Sequence, residues 1–154
     1  MDGILGTSKL AQVGYIVRDV EVSKRVFAAM LGLPVPETSD GGRYEVTGTT
    51  YMGQPAPEAG CLLAFLDVGP DCQIELIQPN GVKSTWQDFL DEHGEGIHHL
   101  AFKVENTEET IKACEAVGMK VLQRGKYGDG GGEYTYLDGY GSMKCIVELL
   151  ESYK

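Results

Sequence analysis

The stretch that decides the fold is GEGIHHLAFKV, at residues 94–104. In a β-strand, successive side chains point to opposite faces of the sheet. One face of this strand therefore carries the apolar side chains of Leu100, Phe102 and Val104. The other face begins with His99, and we expect its neighbour His98 to point the opposite way as a structural residue. The pattern predicts a strand with an apolar face and an imidazole on its other face.

Other segments repeat this pattern. QVGYIV at residues 12–17 aligns with HLAFKV at residues 99–104, so a glutamine and a histidine occupy equivalent places. CQIELI at residues 72–77 aligns in the same way with CIVELL at residues 145–150. The chain is therefore predicted to hold two copies of one unit. We expect one fused domain, because neither copy alone would bury enough apolar surface.

The charge of the chain favours a small molecule as its partner. The 154 residues carry a formal net charge of -10 at pH 7. Nucleic acids and anionic membrane surfaces are polyanions that would repel such a chain. We therefore expect neither nucleic acid nor membrane among its partners.

The four cysteines are Cys61, Cys72, Cys114 and Cys145, and they contain no Cys-x-x-Cys pair. This spacing favours buried thiols in a reducing compartment over disulfides or a thiolate zinc site. The N-terminal residues lack the basic segment and apolar run of an export signal, and no stretch approaches the roughly 18 apolar residues of a membrane span. We expect a cytoplasmic protein.

The first copy is predicted to run β-α-β-β-β. A strand at residues 11–17 precedes a helix that Asp19 caps and Gly32 ends. The apolar residues that recur along this helix, and that predict its buried face, are Val22, Val26 and Met30, with Phe27 and Leu31 widening the stripe. Further strands are predicted at residues 43–50, 61–68 and 72–78.

The second copy repeats this order after a linker. Ser84 and Gln87 have the capping-box spacing that starts a short linker helix. The strand that contains His99 is followed by a helix that begins at Asn106, then by strands at residues 120–123, 133–137 and 143–150. The glycine-rich run at 128–132 lacks the spacing of a phosphate-binding loop and is predicted to form a hairpin. The predicted organisation is a module at residues 9–79, a linker at 80–96 and a module at 97–151.

Each copy places a glutamate inside an apolar strand, at Glu75 and Glu148. A carboxylate in such a strand is costly unless it is paired or binds a cation. If the two modules pack about a pseudo-twofold axis with these faces inward, both glutamates meet Gln12 and His99 around one point. One imidazole and three oxygen donors suit one divalent ion per chain, such as Zn, Co, Ni or Mn, with open positions for substrate or water.

These four segments, in this order, resemble the vicinal oxygen chelate superfamily, which includes glyoxalase I and methylmalonyl-CoA epimerase. The resemblance covers about residues 9–151. It implies an α+β fold in which paired βαβββ modules form a cupped mixed sheet around a metal site. It also implies that Gln12, Glu75, His99 and Glu148 are the metal ligands.

Our preferred hypothesis is an isomerase or epimerase that moves a proton α to a carbonyl, similar to methylmalonyl-CoA epimerase. The metal would act as a Lewis acid on the carbonyl, and the resemblance makes Glu148 the carboxylate that exchanges the proton. Glu45, on a strand expected to border the cup, is the candidate for the second acid or base. The expected substrate is a small carbonyl compound such as an acyl-CoA, and the expected assembly is a homodimer.

Three alternatives come from the same superfamily. A lactoylglutathione lyase of the glyoxalase I type has a similar ligand set, but Ile16 occupies the place where that enzyme commonly has an arginine for glutathione. A non-catalytic drug-binding protein, similar to bleomycin-resistance factors, would lack the complete ligand set. An extradiol dioxygenase ranks lower, because it would require a second histidine in place of Gln12.

Overall fold

The computed structural model describes residues 3–154, which form ten strands and four helices. The strands are β1 (Leu10–Ile16), β2 (Ser39–Asp40), β3 (Thr50–Tyr51), β4 (Gln54–Pro55), β5 (Cys61–Asp67), β6 (Gln73–Pro79), β7 (Gly96–Lys103), β8 (Val121–Lys126), β9 (Gly132–Leu137) and β10 (Ile146–Ser152). The helices are α1 (Val20–Leu31), α2 (Tyr44–Thr47), α3 (Thr85–His93) and α4 (Thr107–Glu115). Within this range no helix is both long and apolar enough to cross a membrane.

All ten strands of the described range belong to one curled mixed sheet, in the order β2-β5-β6-β1-β7-β10-β9-β8-β3-β4. β1 is parallel to β6, and β7 is parallel to β10. The two halves of the chain join where β1 pairs antiparallel with β7. This arrangement confirms the predicted α+β class with its cupped mixed sheet. The proposed division at residues 9–79, 80–96 and 97–151 stays a prediction.

The predicted helix starts are confirmed by their capping contacts. The side chains of Asp19, Ser84 and Asn106 each accept a hydrogen bond from the backbone N–H three residues later. Such caps satisfy amide groups that the first turn of a helix leaves without partners. The glycine-rich run after β8 also forms the expected hairpin, in which Tyr127 N–H donates to the carbonyl of Gly132.

The strand predicted at residues 43–50 is wrong over most of its length. The chain forms α2 there instead, and only Thr50 enters a strand. Glycines with positive φ stand on both sides of the helix, Gly42 at 102° and Gly48 at 55°, and they turn the backbone out of an extended path. After this turn, β3 and β4 form a hairpin whose β3 pairs with β8. A segment of the first half therefore completes the sheet of the second half.

Helix α1 has the predicted ends but buries a different face. Val22, Val26 and Met30 are 56%, 54% and 81% exposed, whereas the buried side chains are those of Val20, Lys24 and Ala28. The latter face packs on β5 and β6, where Ala64, Leu66 and Leu76 form the local core. Lys24 tolerates burial because its ammonium group donates to Thr38 Oγ1 at 2.9 Å and lies 3.1 Å from a carboxylate oxygen of Glu21.

The cysteines are also less uniformly buried than expected. Cys61 and Cys114 are buried, whereas Cys72 and Cys145 are only partly so. The latter two precede β6 and β10. They lie at strand ends, where the sheet covers them less fully than it covers residues within the strands.

The exposure of α1 leads to a paired prediction. Val26→Gln should change the free energy of unfolding by no more than about 0.5 kcal/mol, as is usual for an exposed site. Ala28→Gln should lower it by about 1–3 kcal/mol, because the larger polar side chain must enter a packed core. Denaturant unfolding of both variants measures this difference. A larger loss for Val26→Gln would show that the exposed stripe is covered in solution.

Candidate metal centre

The side chains of Glu75, His99 and Glu148 converge at one point on the curled sheet. They belong to β6, β7 and β10, and a ligand atom from each lies within 4.8 Å of the others. His99 Nε2 is 2.8 Å from Glu148 Oε2 and 3.5 Å from Glu75 Oε1. The three side chains are buried. Two carboxylates and an imidazole therefore share one desolvated position.

The strand register explains how residues so far apart in sequence come together. Gly14 of β1 lies between Glu75 of β6 and His99 of β7, so these three positions form one row across the sheet. The ring of His99 lies directly over Gly14, because a Cβ at that glycine would be only 2.0 Å from His99 Cε1. Glu148 pairs with Ala101, two residues beyond His99. The small residue that follows two places after Gln12 thus makes room for the imidazole.

Gln12 lies in the wall of the same cavity as Glu75 and Glu148. Its side chain is buried, and its Oε1 finds no hydrogen-bond partner among the described residues. The structure therefore leaves this buried carbonyl oxygen without a partner among residues 3–154. Of the four predicted ligands, three form the close cluster and Gln12 lies in the cavity wall with two of them.

The donor atoms of this site are unsatisfied. Within residues 3–154, no hydrogen bond reaches Gln12 Oε1, Glu75 Oε1, His99 Nε2 or Glu148 Oε2. The 2.8 Å contact between His99 and Glu148 is short enough for a hydrogen bond, but it does not follow the direction of the ring N–H and is an ion-pair contact. Buried polar atoms without partners each cost roughly 1–3 kcal/mol. A bound cation would remove this cost.

The distances between donors also suit a single metal ion. Ligand atoms that each lie about 2.1 Å from one ion are separated by about 3.0–3.4 Å in octahedral or tetrahedral geometry. The separations of 2.8 and 3.5 Å from His99 Nε2 are close to these values. Mixed imidazole and oxygen donors are typical of Zn, Co, Ni and Mn sites. The residues present therefore fit a divalent metal, and this buried cluster could hold one.

The electrostatics of the cluster follow from its burial. Desolvation, and then the charge of Glu148, raise the pKa of Glu75 to about 8, although His99 opposes this shift. Burial alone would lower the pKa of His99, but the charges of Glu148 and Glu75 outweigh it and raise that pKa. In the absence of a cation, the cluster therefore holds protons that metal binding must displace.

The expectation that His98 points away from His99 is wrong. The two imidazoles are in contact, with His98 Nδ1 2.9 Å from His99 Nδ1, and both rings are fully buried. The cause is a β-bulge in β7, because Gly14 pairs with His99 and Tyr15 pairs with Ile97, which leaves His98 as an extra residue. A bulge interrupts the alternation of side chains on which the expectation depended. Burial lowers the pKa of His98 well below its usual value, and so does the neighbouring His99.

A cavity of about 610 Å³ opens next to the cluster. Gln12, Glu75 and Glu148 form part of its wall, with Trp86, Tyr134 and Tyr136 beside them. Tyr136 Oη accepts a hydrogen bond of 3.0 Å from Trp86 Nε1. Gly128 and Asp129 of the glycine-rich hairpin border the cavity as well. The cavity is large enough for the reactive part of a small-molecule substrate.

The structure does not bring Glu45 to the cluster. This residue belongs to α2 instead of a strand, its side chain is 72% exposed, and one of its carboxylate oxygens lies 3.7 Å from Arg43 Nε. It lies outside the cavity wall that the described residues form. The carboxylate of Asp40 does line the cavity and accepts a hydrogen bond from the Gly42 N–H at 2.9 Å. The sequence offered no periodic signal for Asp40, which lies in a strand of two residues.

Two lysines in the cavity wall, Lys103 and Lys126, were not singled out as site residues from the sequence. Lys103 lies on the same face of β7 as His99, so the alternation of the strand could have identified it. Lys126 ends β8 and is brought near by the pairing of β8 with β9. Both add positive charge to a cavity that otherwise carries several carboxylates.

Family membership follows from comparison of the sequence with known proteins. A family model described as the Glyoxalase/Bleomycin resistance protein/Dioxygenase superfamily matches residues 11–136. The chain belongs to this superfamily. The ethylmalonyl-CoA/methylmalonyl-CoA epimerase of Cereibacter sphaeroides is 30% identical to it over 112 residues, which span 70% of this chain and 83% of that protein. The resemblance inferred from the four segments is thereby confirmed.

Solved structures show that the fold of this superfamily member is shared with epimerases. Methylmalonyl-CoA epimerase from Mycobacterium tuberculosis superimposes with a TM-score of 0.67 at 20% identity, covering 94% of this chain and 88% of that one. A variant of the Streptomyces coelicolor enzyme in complex with 2-nitronate-propionyl-CoA gives a TM-score of 0.66 at 20% identity, covering 95% and 98%. At such identities these likenesses establish the cupped sheet.

The raised pKa of Glu75 makes the stability of the metal-free protein depend on pH. Its folded-state pKa, about 8, lies above the ordinary value of 4.5, so the folded chain binds more protons than the unfolded chain between these values. This contribution to stability is complete below about pH 4.5 and is lost as the pH rises through about 8. Glu75→Gln mimics the protonated form, so this variant should become increasingly more stable than the wild type as the pH rises.

Denaturant unfolding at a series of pH values, with a chelator present, measures this difference. The difference between wild type and Glu75→Gln isolates the effect from all other titrating groups outside the cluster. Zinc affinity of the wild type should rise over the same pH range, because the ion binds the ionised carboxylate. A difference in stability that does not change with pH would contradict the raised pKa.

Proposed function

We propose that this chain is a divalent-metal-dependent epimerase that moves a proton α to the carbonyl of an acyl-CoA. The observation that carries the proposal is the buried cluster of Glu75, His99 and Glu148 beside a substrate-sized cavity. One donor atom of each of these side chains has no hydrogen-bond partner among residues 3–154. The 30% identity to an ethylmalonyl-CoA/methylmalonyl-CoA epimerase supports the choice of reaction. The metal itself, a homodimer and a cytoplasmic location stay predictions.

Gln12, Glu75, His99 and Glu148 would hold the ion. When bound, it would supply a Lewis acid for the carbonyl oxygen of the substrate and lower the cost of negative charge there. The side chains of the site are largely removed from solvent, since His99 is fully buried and Tyr136 is 2% exposed. A site with little water strengthens the electrostatic interactions made within it.

Glu148 is the proposed base that removes and returns the α-proton. It is the carboxylate nearest to His99 and it also lines the cavity, so it can both face a substrate and contact the other ligands. Epimerisation requires a second group on the opposite face of the planar, deprotonated substrate. Glu45 stays the sequence-based candidate for this role. Outside the cluster, Asp40 and Asp129 are further acidic residues of the cavity wall. We take Asp40 as the second candidate to test beside Glu45.

The cavity favours an acyl-CoA over a glutathione adduct. Ile16, which occupies the place of the glutathione-binding arginine, is fully buried in the core with Ile77 and Trp86. We expect Lys103 and Lys126, which lie in the cavity wall, to attract the phosphate groups of an acyl-CoA. A drug-binding protein would not require this buried set of four donors.

The first test separates proton transfer from ligand binding at Glu148. Glu148→Gln keeps the size and one oxygen donor but removes the basicity, so α-proton exchange of methylmalonyl-CoA in deuterated water should fall about 10²-fold or more. Asp40→Asn and Glu45→Gln, assayed in parallel, identify the second group. Exchange is followed by NMR, and epimerisation is followed with a single stereoisomer.

Metal content must be measured in each sample, since Glu148 is also a proposed ligand. Glu115→Gln, an exposed carboxylate on α4, is the matched control and should exchange protons at the wild-type rate. Wild-type exchange by Glu148→Gln at equal metal occupancy would show that Glu148 is only a ligand. Efficient turnover of methylglyoxal with glutathione, without action on acyl-CoA, would instead favour the lyase.

The second test asks whether the two lysines of the cavity wall recognise the phosphate groups of coenzyme A. Lys103→Gln and Lys126→Gln should each raise KM for methylmalonyl-CoA by roughly fivefold, since one exposed charge contact contributes about 1 kcal/mol. The same variants should leave KM unchanged for a methylmalonyl thioester of N-acetylcysteamine, which has no phosphates. Lys120→Gln, an exposed lysine outside the cavity wall, is the control. Equal effects on both thioesters would remove the lysines from carrier recognition.

A further inference from the structure

We infer that His98 is a positioning residue for the metal site: its Nδ1 accepts a hydrogen bond from Nδ1–H of His99 and so leaves the Nε2 lone pair of His99 free for a cation. The inference rests on the metal site of the proposed function. The two Nδ1 atoms are 2.9 Å apart, which is hydrogen-bonding distance. The two rings are nearly perpendicular, at 85°.

The direction of this hydrogen bond follows from the position of the other His99 nitrogen. A neutral imidazole carries one proton, and the nitrogen without it provides the lone pair that binds a metal. His99 Nε2 is the atom that points toward Glu75 and Glu148. Its proton must therefore be on Nδ1, and His98 Nδ1 must accept. A donor at His98 Nδ1 would place the His99 proton on Nε2, where it would block the cation.

The His98 ring is held in place by packing. Phe89 of α3 contacts it edge-on with ring centroids 5.4 Å apart, and Tyr136 does so at 5.1 Å. The ring is fully buried. The backbone of Thr85 is a further polar neighbour of the ring, although His98 Nε2 makes no full hydrogen bond within residues 3–154. The linker helix and β9 thus fix the acceptor that orients His99.

A neutral acceptor also suits the charge of this site. Metal-binding histidines usually donate their second N–H to a carboxylate, a carbonyl or water. Here Glu75 and Glu148 already supply two negative charges, enough to neutralise a divalent ion. A third carboxylate at the position of His98 would leave excess negative charge in a buried place. An imidazole gives the orienting contact without that charge.

The first experiment determines the tautomers directly in the full-length wild-type protein. Long-range ¹H–¹⁵N NMR correlations of the histidine rings should show His98 protonated at Nε2 alone in the zinc-loaded protein. They should also show His99 protonated at Nδ1 and bound through Nε2. A proton on His98 Nδ1, or zinc on His99 Nδ1, would overturn the inference. This measurement does not depend on any variant being folded.

The second experiment measures zinc affinity by competition with a chelator. His98→Phe keeps a ring but removes the acceptor, and it should weaken zinc binding about 10- to 100-fold, the usual effect of losing such a partner. His98→Asn returns an oxygen near the position of Nδ1, so its zinc affinity should lie between that of His98→Phe and that of the wild type. Phe89→Leu, which alters the packing around His98 without removing the acceptor, is the matched control.

The outcomes separate the inference from the proposed function. Wild-type zinc binding with unchanged affinity in folded His98→Phe would overturn the role of His98 and leave the metal site intact. Equal losses in Phe89→Leu and His98→Phe, with no recovery in His98→Asn, would show that His98 serves packing alone. A wild-type chain that binds no zinc or other divalent ion would instead overturn the metal site, and with it the role assigned to His98.

Discussion

The antiparallel pairing of β1 with β7 is the contact on which the rest of the structure depends. It joins the two halves of the sheet and places Gly14 opposite His99. The parallel neighbours β6 and β10 then bring one glutamate each to the same region. Because the ring of His99 occupies the space that a side chain at Gly14 would fill, the backbone pairing and the cluster geometry are inseparable. The fold positions the donors before any ligand arrives.

This preorganisation has a cost in stability. Two carboxylates and an imidazole are held out of water with donor atoms that no other described residue satisfies. Unpaired buried polar groups are unfavourable, and two like charges in one site increase the penalty. The protein carries this penalty beside well-packed apolar clusters on both halves of the sheet. A destabilised site within a stable framework is typical of binding and catalytic centres.

The sequence was most informative where both copies of the repeated unit place a charged residue inside an apolar strand. Glu75 and Glu148 interrupt equivalent apolar strands, and this coincidence identified both members of the cluster with their partner His99. The spacing of apolar residues within a single helix was a less reliable guide to its buried face. The apolar residues at every fourth position of α1 predicted the wrong face, because the contact with β5 and β6 selects Val20 and Ala28 instead.

Other features could not be read from the sequence because they depend on distant pairing. The bulge that turns His98 toward His99 is visible only in the register between β1 and β7. The helix that replaces the strand at 43–50, and with it the exposure of Glu45, has a local cause instead, the positive φ of the glycines on either side. Asp40 and Lys126 reach the cavity through strand contacts with distant parts of the chain.

The pairing of the β3–β4 hairpin with β8 also affects how this protein unfolds and how it can have evolved. Strand β3 of the first half pairs with β8, the outer strand of the second half, so the two halves are interlocked. Separation of the halves would expose the edge of β8 as well as the β1–β7 seam, which favours a single cooperative transition. The second half alone would lack the pairing of β8 with β3. A duplication of one half therefore accounts for this architecture only together with the crossing contact between β3 and β8, since neither half alone would bury enough apolar surface.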